Sequence, residues 1–265
     1  MEQPLTSPTG TQAVHRAAQL LREIAYGPGG VTFSGLAEAT GLAKSTTSRL
    51  LTALERDGLV RRDQAGAFLP GEVFVAFASR GGAETALINA AQPFLDRLGA
   101  ETGETINLGI ARPHGLVEQI AQVDSTYLIG GTNWVGLSVP LHCAALGKVL
   151  LAHGVAELPP GDLEPRTART ISSRAELDAD LAVVRARGFA VTNGELEPGL
   201  VAIAAPVRRG GTAHRGSVVV AAISVSGPAS RLSGDRIPDM AARCIAAADA
   251  LSVSLGYRPG KEGAA

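Results

Sequence analysis

Cysteine is nearly missing from this 265-residue chain: Cys143 and Cys244 lie far apart, and no CxxC spacing occurs. That pattern argues against a cysteine-based zinc site and points to a reducing compartment. Aromatic residues make up 4% of the sequence and include one tryptophan, Trp134. No apolar run approaches membrane-spanning length, and the opening MEQPLTSPTG has neither a basic start nor an apolar segment, so a cytoplasmic protein without membrane contact is expected. Charge is also scarce in net terms. The formal balance is −1, so any surface for a polyanion must be local.

One stretch supplies such a surface. Between Gly41 and Arg62 (GLAKSTTSRLLTALERDGLVRR) the net charge is +3. A Gly-Leu turn leads into a helix whose first turns carry Lys44, Ser45, Thr46, Thr47, Ser48 and Arg49, while Leu50, Leu51 and Leu54 recur at core-facing spacing. Asp57-Gly58 ends that helix, Leu59 to Arg62 reads as a strand, and a polar turn leads to a returning strand at Ala67-Phe68-Leu69. Upstream, Val14, Ala17, Ala18, Leu21, Ile24 and Ala25 stripe a helix that Gly27 to Gly30 stops; Ser34 then caps a second helix ending at Gly41. Helix, turn, polar-faced helix and ribbon make a winged helix-turn-helix with a core of Val14, Leu21, Ile24, Leu36, Leu42, Leu50, Leu54 and Leu59. Small hydroxyls with one or two cations suit a helix entering the major groove. Lys44, Ser45, Thr46, Thr47 and Arg49 are therefore the expected DNA contacts, with Arg61 and Arg62 on wing phosphates.

The rest of the chain mixes strands and helices. A helix over Glu84–Glu101 contains Pro93, which predicts a kink or a start there. Thr105 to Ala111, a turn at Arg112 to Gly115, and Leu116 to Gln122 read as a hairpin. Leu141 to Ala152 reads as helix, Ser173 to Glu176 as a capping box opening another, and Gly188 as its stop. Two long apolar strands, Leu200 to Arg208 and Ser217 to Ser226, precede a closing helix over Leu232–Leu255. The expectation is an α+β domain with a mainly antiparallel sheet flanked by helices. The expected division is a disordered tail over 1–10, a winged helix-turn-helix domain over 11–80, a linker helix over 81–102, an effector-binding domain over 103–257 and a flexible tail over 258–265.

Enzyme chemistry finds little support. Gly147-Lys148 resembles the end of a phosphate loop, but His142 and Val149 stand where that motif needs glycine and a hydroxyl residue. Neighbouring His142 and Cys143 point apart on a helix, no GxSxG elbow occurs, and the five histidines lack metal-ligand spacing. No catalytic residue, metal or cofactor is expected. The alternative from another class is a small-acid-metabolising enzyme with a winged-helix docking module. What the second domain offers is a pocket: the Gly-rich loop 130–137 and the helix near 141–152 lie beside strands carrying Thr192, Ser224 and Ser226, and backbone N–H groups at a helix start suit a carboxylate.

Four blocks behind the winged helix carry a resemblance: Gly103 to Leu108 (GETINL), Pro140 to Lys148 (PLHCAALGK), Gly199 to Val207 (GLVAIAAPV) and Ala222 to Pro228 (AISVSGP). Together with the head they resemble the IclR family of bacterial transcriptional regulators over roughly Thr11 to Tyr257. The resemblance implies a GAF-like effector domain, a small metabolite ligand such as an organic or aromatic acid, and a homodimer or dimer of dimers that represses from double-stranded operator DNA. It also implies effector contacts at Tyr127, Gly130, Ala144, Ala145, Thr192, Leu200, Ala202, Ser224 and Ser226. Thr192 stands where several acid-sensing members have an acidic residue and Ala202 where many have cysteine, which implies a less polar pocket.

Overall fold

The computed structural model describes residues 9–27, 29–79, 82–127, 132–210 and 217–258. The described residues fall into two compact units, one reaching Thr85 and one running from Ala86.

In the first unit, α1 (Thr9–Ala25), α2 (Phe33–Thr40) and α3 (Lys44–Arg56) precede a ribbon of β1 (Val60–Arg62) and β2 (Phe68–Pro70), and α4 (Glu72–Ser79) follows. Leu20, Ile24, Leu36, Leu51, Leu54, Val60 and Phe68 form its core. Two expectations change here. Val14 is 70% exposed, because the buried stripe of α1 is set by Leu20 and Ile24, a helical turn apart. Thr32, not Ser34, caps α2: its backbone is extended, and its hydroxyl accepts from Gly35 N at 3.2 Å. Gly41 then takes φ 64°, turning the chain from α2 into α3. The ribbon is held to the helices through Val31, which exchanges two backbone hydrogen bonds with Phe68 (2.9 and 2.8 Å). Helix α4 carries no periodic apolar signal, and Val73, Val75 and Phe77 are each about half exposed.

The second unit is a six-stranded sheet in the order β5-β4-β3-β8-β7-β6, with every named pair antiparallel. Its strands are β3 (Thr105–Arg112), β4 (Leu116–Val123), β5 (Ser138–Pro140), β6 (Ala190–Asn193), β7 (Leu200–Arg209) and β8 (Val218–Pro228). Helices α5 (Gly82–Thr102) and α8 (Arg236–Ser254) cover one face; α6 (Ala145–Ala152) and α7 (Arg174–Arg187) cover the other. Helix α5 runs through Pro93 without ending there. Leu141–Cys143 forms a 3-10 turn that Ala144, in extended conformation, separates from α6, so the helix starts four residues later than its apolar run indicates. Helix α8 likewise begins at Arg236, after Leu232 has been buried within the turn before it. Ser173 caps α7 and Gly188 ends it at φ 81°, as the capping box and the glycine dictate.

The two sheet faces differ in kind. Ile106, Leu108, Val201, Ile203, Ile223 and Val225 fill the face under α5 and α8. Their alternating neighbours on the opposite face are small or polar, a consequence of the two-residue strand period. No helix among the described residues is long and apolar enough to cross a membrane.

Candidate functional sites

On α3, Lys44, Ser45, Ser48, Arg49 and Thr52 are exposed and fall on one outward stripe. Thr46 is half-buried at its edge. Thr47 is the correction in this set. It is fully buried, and its hydroxyl donates to Ala43 O at 3.2 Å, because it stands four residues before Leu51 and seven before Leu54, on the core stripe. Ser48 and Thr52, which the motif reading passed over, share the stripe of Ser45 and Arg49; the spacing i, i+4 was the available signal. In the wing, Asp63 Oδ1 accepts from the backbone N–H groups of Ala65 and Ala67 (both 2.9 Å), and Gly66 supplies φ 83° for the turn. Arg61 and Arg62 are exposed on β1. The Arg62 guanidinium lies 4.6 Å from the Phe68 ring centre and 3.3 Å from Glu55, so its charge is partly engaged before any DNA arrives.

The second site lies on the small-residue face of the sheet. Strand register arranges it in three ranks: Thr192, Ala202, Ser226 and Thr105; then Ala204, Ser224 and Asn107; then Ala222, Gly109 and Gln119. Helix α6 lies over them, and a Cβ on Gly109 would come within 2.9 Å of Leu146 Cδ1. Ala144 and Ala145, at the start of α6, are buried in the same cluster, and no side chain caps that helix start. Asn107 Nδ2 donates to Ser226 Oγ at 3.2 Å. The structure thus brings together Ala144, Ala145, Thr192, Ala202, Ser224 and Ser226, with Leu200 at the beginning of β7. Asn107 and Gln119 join them although no motif pointed there; their signal was polarity at inward positions of β3 and β4. Gly130 lies outside the described residues. Tyr127 is engaged elsewhere: its ring lies 4.3 Å from the Arg231 guanidinium, which is bound to fully buried Glu104 through two contacts of 2.8 and 2.7 Å.

His142 and Cys143 do not form a nucleophile pair. His142 Nε2 faces Glu164 O at 3.0 Å, and Cys143 Sγ points to Pro140 O at 3.7 Å. Burial lowers the imidazole pKa and pushes the Cys143 thiol up to about 11, so the thiolate needed for attack is scarce at neutral pH. Gly147 fixes this corner. A Cβ there would stand 2.2 Å from Leu141 O, so Gly147→Ala is expected to force α6 off the 3-10 turn and cost about 1–3 kcal/mol, read as a lower urea midpoint.

A winged helix-turn-helix with a cationic, hydroxyl-rich outward stripe, followed by a separate α+β unit, defines the class of DNA-binding transcriptional regulators. The comparisons identify the family. Residues 13–64 match the IclR helix-turn-helix domain, and residues 83–253 match the bacterial transcriptional regulator IclR C-terminal domain. The chain belongs to the IclR family. It is 35% identical over 238 residues to the HTH-type transcriptional regulator Rv1719 of Mycobacterium tuberculosis, covering 88% of each chain. It is 34% identical over 260 residues to the transcriptional repressor IclR of Escherichia coli, covering 92% of this chain and 90% of that one. Among solved structures it resembles the IclR of Thermotoga maritima, with a TM-score of 0.58 at 26% identity, covering 93% of this chain and all of that one.

Proposed function

We propose that this regulator is a repressor whose hold on operator DNA is modulated by a small organic or aromatic acid. Residues 11–80 act as the DNA-binding domain, 81–102 as the linker and 103–257 as the effector-binding domain. It works in the cytoplasm without catalysis of its own. The observation that carries the DNA half is the outward stripe of α3 beside the wing: Lys44, Ser45, Ser48, Arg49 and Thr52 are exposed on one side of a helix whose other side is core. The half-exposed Val73, Val75 and Phe77 of α4 support an assembly, a homodimer or dimer of dimers, in which a second copy covers them.

The roles divide by chemistry. Arg61→Ala removes a phosphate partner and is expected to weaken specific and random duplexes alike, reducing the salt slope by about 1. Ser45→Ala or Arg49→Ala is expected to change operator preference by about 1–3 kcal/mol while leaving random-sequence binding nearly unchanged. Salt-titrated binding of the full-length protein to the DNA upstream of its own gene reads both. Identical behaviour of the two variant classes on specific and random DNA would overturn the assignment.

A further inference from the structure

The cations between Gly41 and Arg62 do not stand alike. Arg56 Nε lies 3.2 Å from Asp57 Oδ1, and Arg62 Nε donates to both oxygens of Glu55 at 3.3 Å. Among the described residues, Lys44, Arg49 and Arg61 make no ion pair. Strand register separates the two wing arginines. Successive side chains of β1 point to opposite sides of the ribbon; Arg62 stands opposite Phe68 and Arg61 opposite Leu69. Val60 and Phe68 belong to the core, so Arg62 shares their helix-facing side and Arg61 takes the outer one. The Arg62 guanidinium accordingly stacks on the Phe68 ring, 4.6 Å from its centre. Glu55 reaches it from the last turn of α3. That residue stands seven positions after Ser48 and three after Thr52, at the end of the outward stripe.

Resting on the reading that this stripe and the wing face DNA, we propose that Glu55 is a specificity-determining residue: it withholds Arg62 from phosphate and so restrains binding to random sequence. A carboxylate gains nothing from its place on this stripe. It repels phosphate, and in the last turn of a helix it meets the negative end of the helix dipole. Its one favourable contact is Arg62, the wing cation nearest the recognition helix. An exposed ion pair is a weak hold by itself. Here the guanidinium is confined a second time by the Phe68 ring, on a side of the strand that turns away from solvent. Phosphate contacts supply affinity without regard to sequence, whereas base contacts discriminate. With Arg62 engaged, Arg61 is the wing's phosphate partner, and base contacts along α3 carry a larger share of operator affinity.

Binding of the full-length protein to a random duplex and to the DNA upstream of its own gene, titrated with salt, tests this with three variants. Glu55→Gln releases Arg62 and is expected to steepen the salt dependence by about one phosphate contact. Raising the salt from about 50 to about 200 mM then costs the variant about threefold more affinity than it costs the unaltered protein. At low salt the random duplex gains more than the operator, so discrimination falls. Glu55→Gln combined with Arg62→Gln removes the pair as a unit and is expected to restore the original slope. Arg61→Ala is the reference, with a slope shallower by about 1. A change of slope counts phosphate contacts, which a purely structural role for the pair would not alter. An unchanged slope in Glu55→Gln overturns the proposal, and a double variant as shallow as Arg61→Ala overturns it by placing Arg62 on phosphate. A slope unmoved by Arg61→Ala overturns instead the underlying reading that the wing meets DNA.

Discussion

Lys148→Met is expected to cost about 3–5 kcal/mol in urea denaturation at neutral pH, because it strands two carboxylates around a fully buried site. Lys148 is 1% exposed, with its ammonium 2.8 Å from Asp180 Oδ2 and 2.7 Å from Glu195 Oε2, the latter contact not aligned as a hydrogen bond. The three groups come from α6, α7 and the connection between β6 and β7, so one cation ties the helix over the small-residue face to its neighbours. The pH dependence has a definite sign. Burial holds the Glu195 carboxyl above its ordinary pKa, and Lys148 opposes that shift. Without the lysine the opposition is gone, and the folded state takes up a proton at a higher pH than the unfolded chain does. The deficit of the variant is therefore full above the folded-state pKa and shrinks as the pH falls through it. Adding Asp180→Asn and Glu195→Gln should recover much of the loss at neutral pH. A deficit that is flat with pH and unrecovered would show that lost packing, not stranded charge, is the cause.

Arg231→Met is expected to destabilise by a similar amount, about 3–5 kcal/mol, for a related reason. Its guanidinium holds both oxygens of Glu104, a carboxylate with no solvent exposure. Gly227 leaves room for that carboxylate, since a Cβ there would come within 2.5 Å of Glu104 Oε2. Removing the partly exposed arginine strands a buried anion, whereas Glu104→Gln leaves a cation that solvent can reach. The two substitutions should therefore be unequal, with Glu104→Gln the milder in thermal melts. The arginine variant also deprives Tyr127 of its stacking partner. Equal losses from the two changes would mean that neither charge is truly desolvated.

Much of this architecture is written locally. Gly41, Gly58 and Gly188 end helices at positive φ where the sequence places them, and the long apolar runs of β7 and β8 are strands buried on both faces. The recognition helix is legible because polar and aliphatic residues alternate at helical spacing. Thr47 shows the limit of reading by residue type: its hydroxyl suggests DNA, but its phase with Leu51 and Leu54 places it in the core. Helix α4 escapes pattern reading because Val73, Phe74, Val75 and Phe77 crowd together without a polar face. The ion groups are illegible for a different reason. Lys148 meets Asp180 and Glu195, and Glu104 meets Arg231, across long intervals of chain that only the folded sheet brings together. On the small-residue face the motif blocks located the strands and helix start, while Asn107 and Gln119 emerged only once register fixed which positions point inward.

The unlike faces of the sheet also give the chain a simple mutational address. Along β7 and β8 the even-numbered positions (Ala202, Ala204, Ala222, Ser224, Ser226) line the small-residue side, and the odd-numbered ones (Val201, Ile203, Ala205, Ile223, Val225) belong to the opposite cluster. On the proposed effector-binding role of this domain, variation confined to even positions would reshape chemical selectivity while the hydrophobic foundation beneath stays constant. Relatives that answer to different signals need differ only at alternate letters of the same strands, and a selection library can be drawn on that parity.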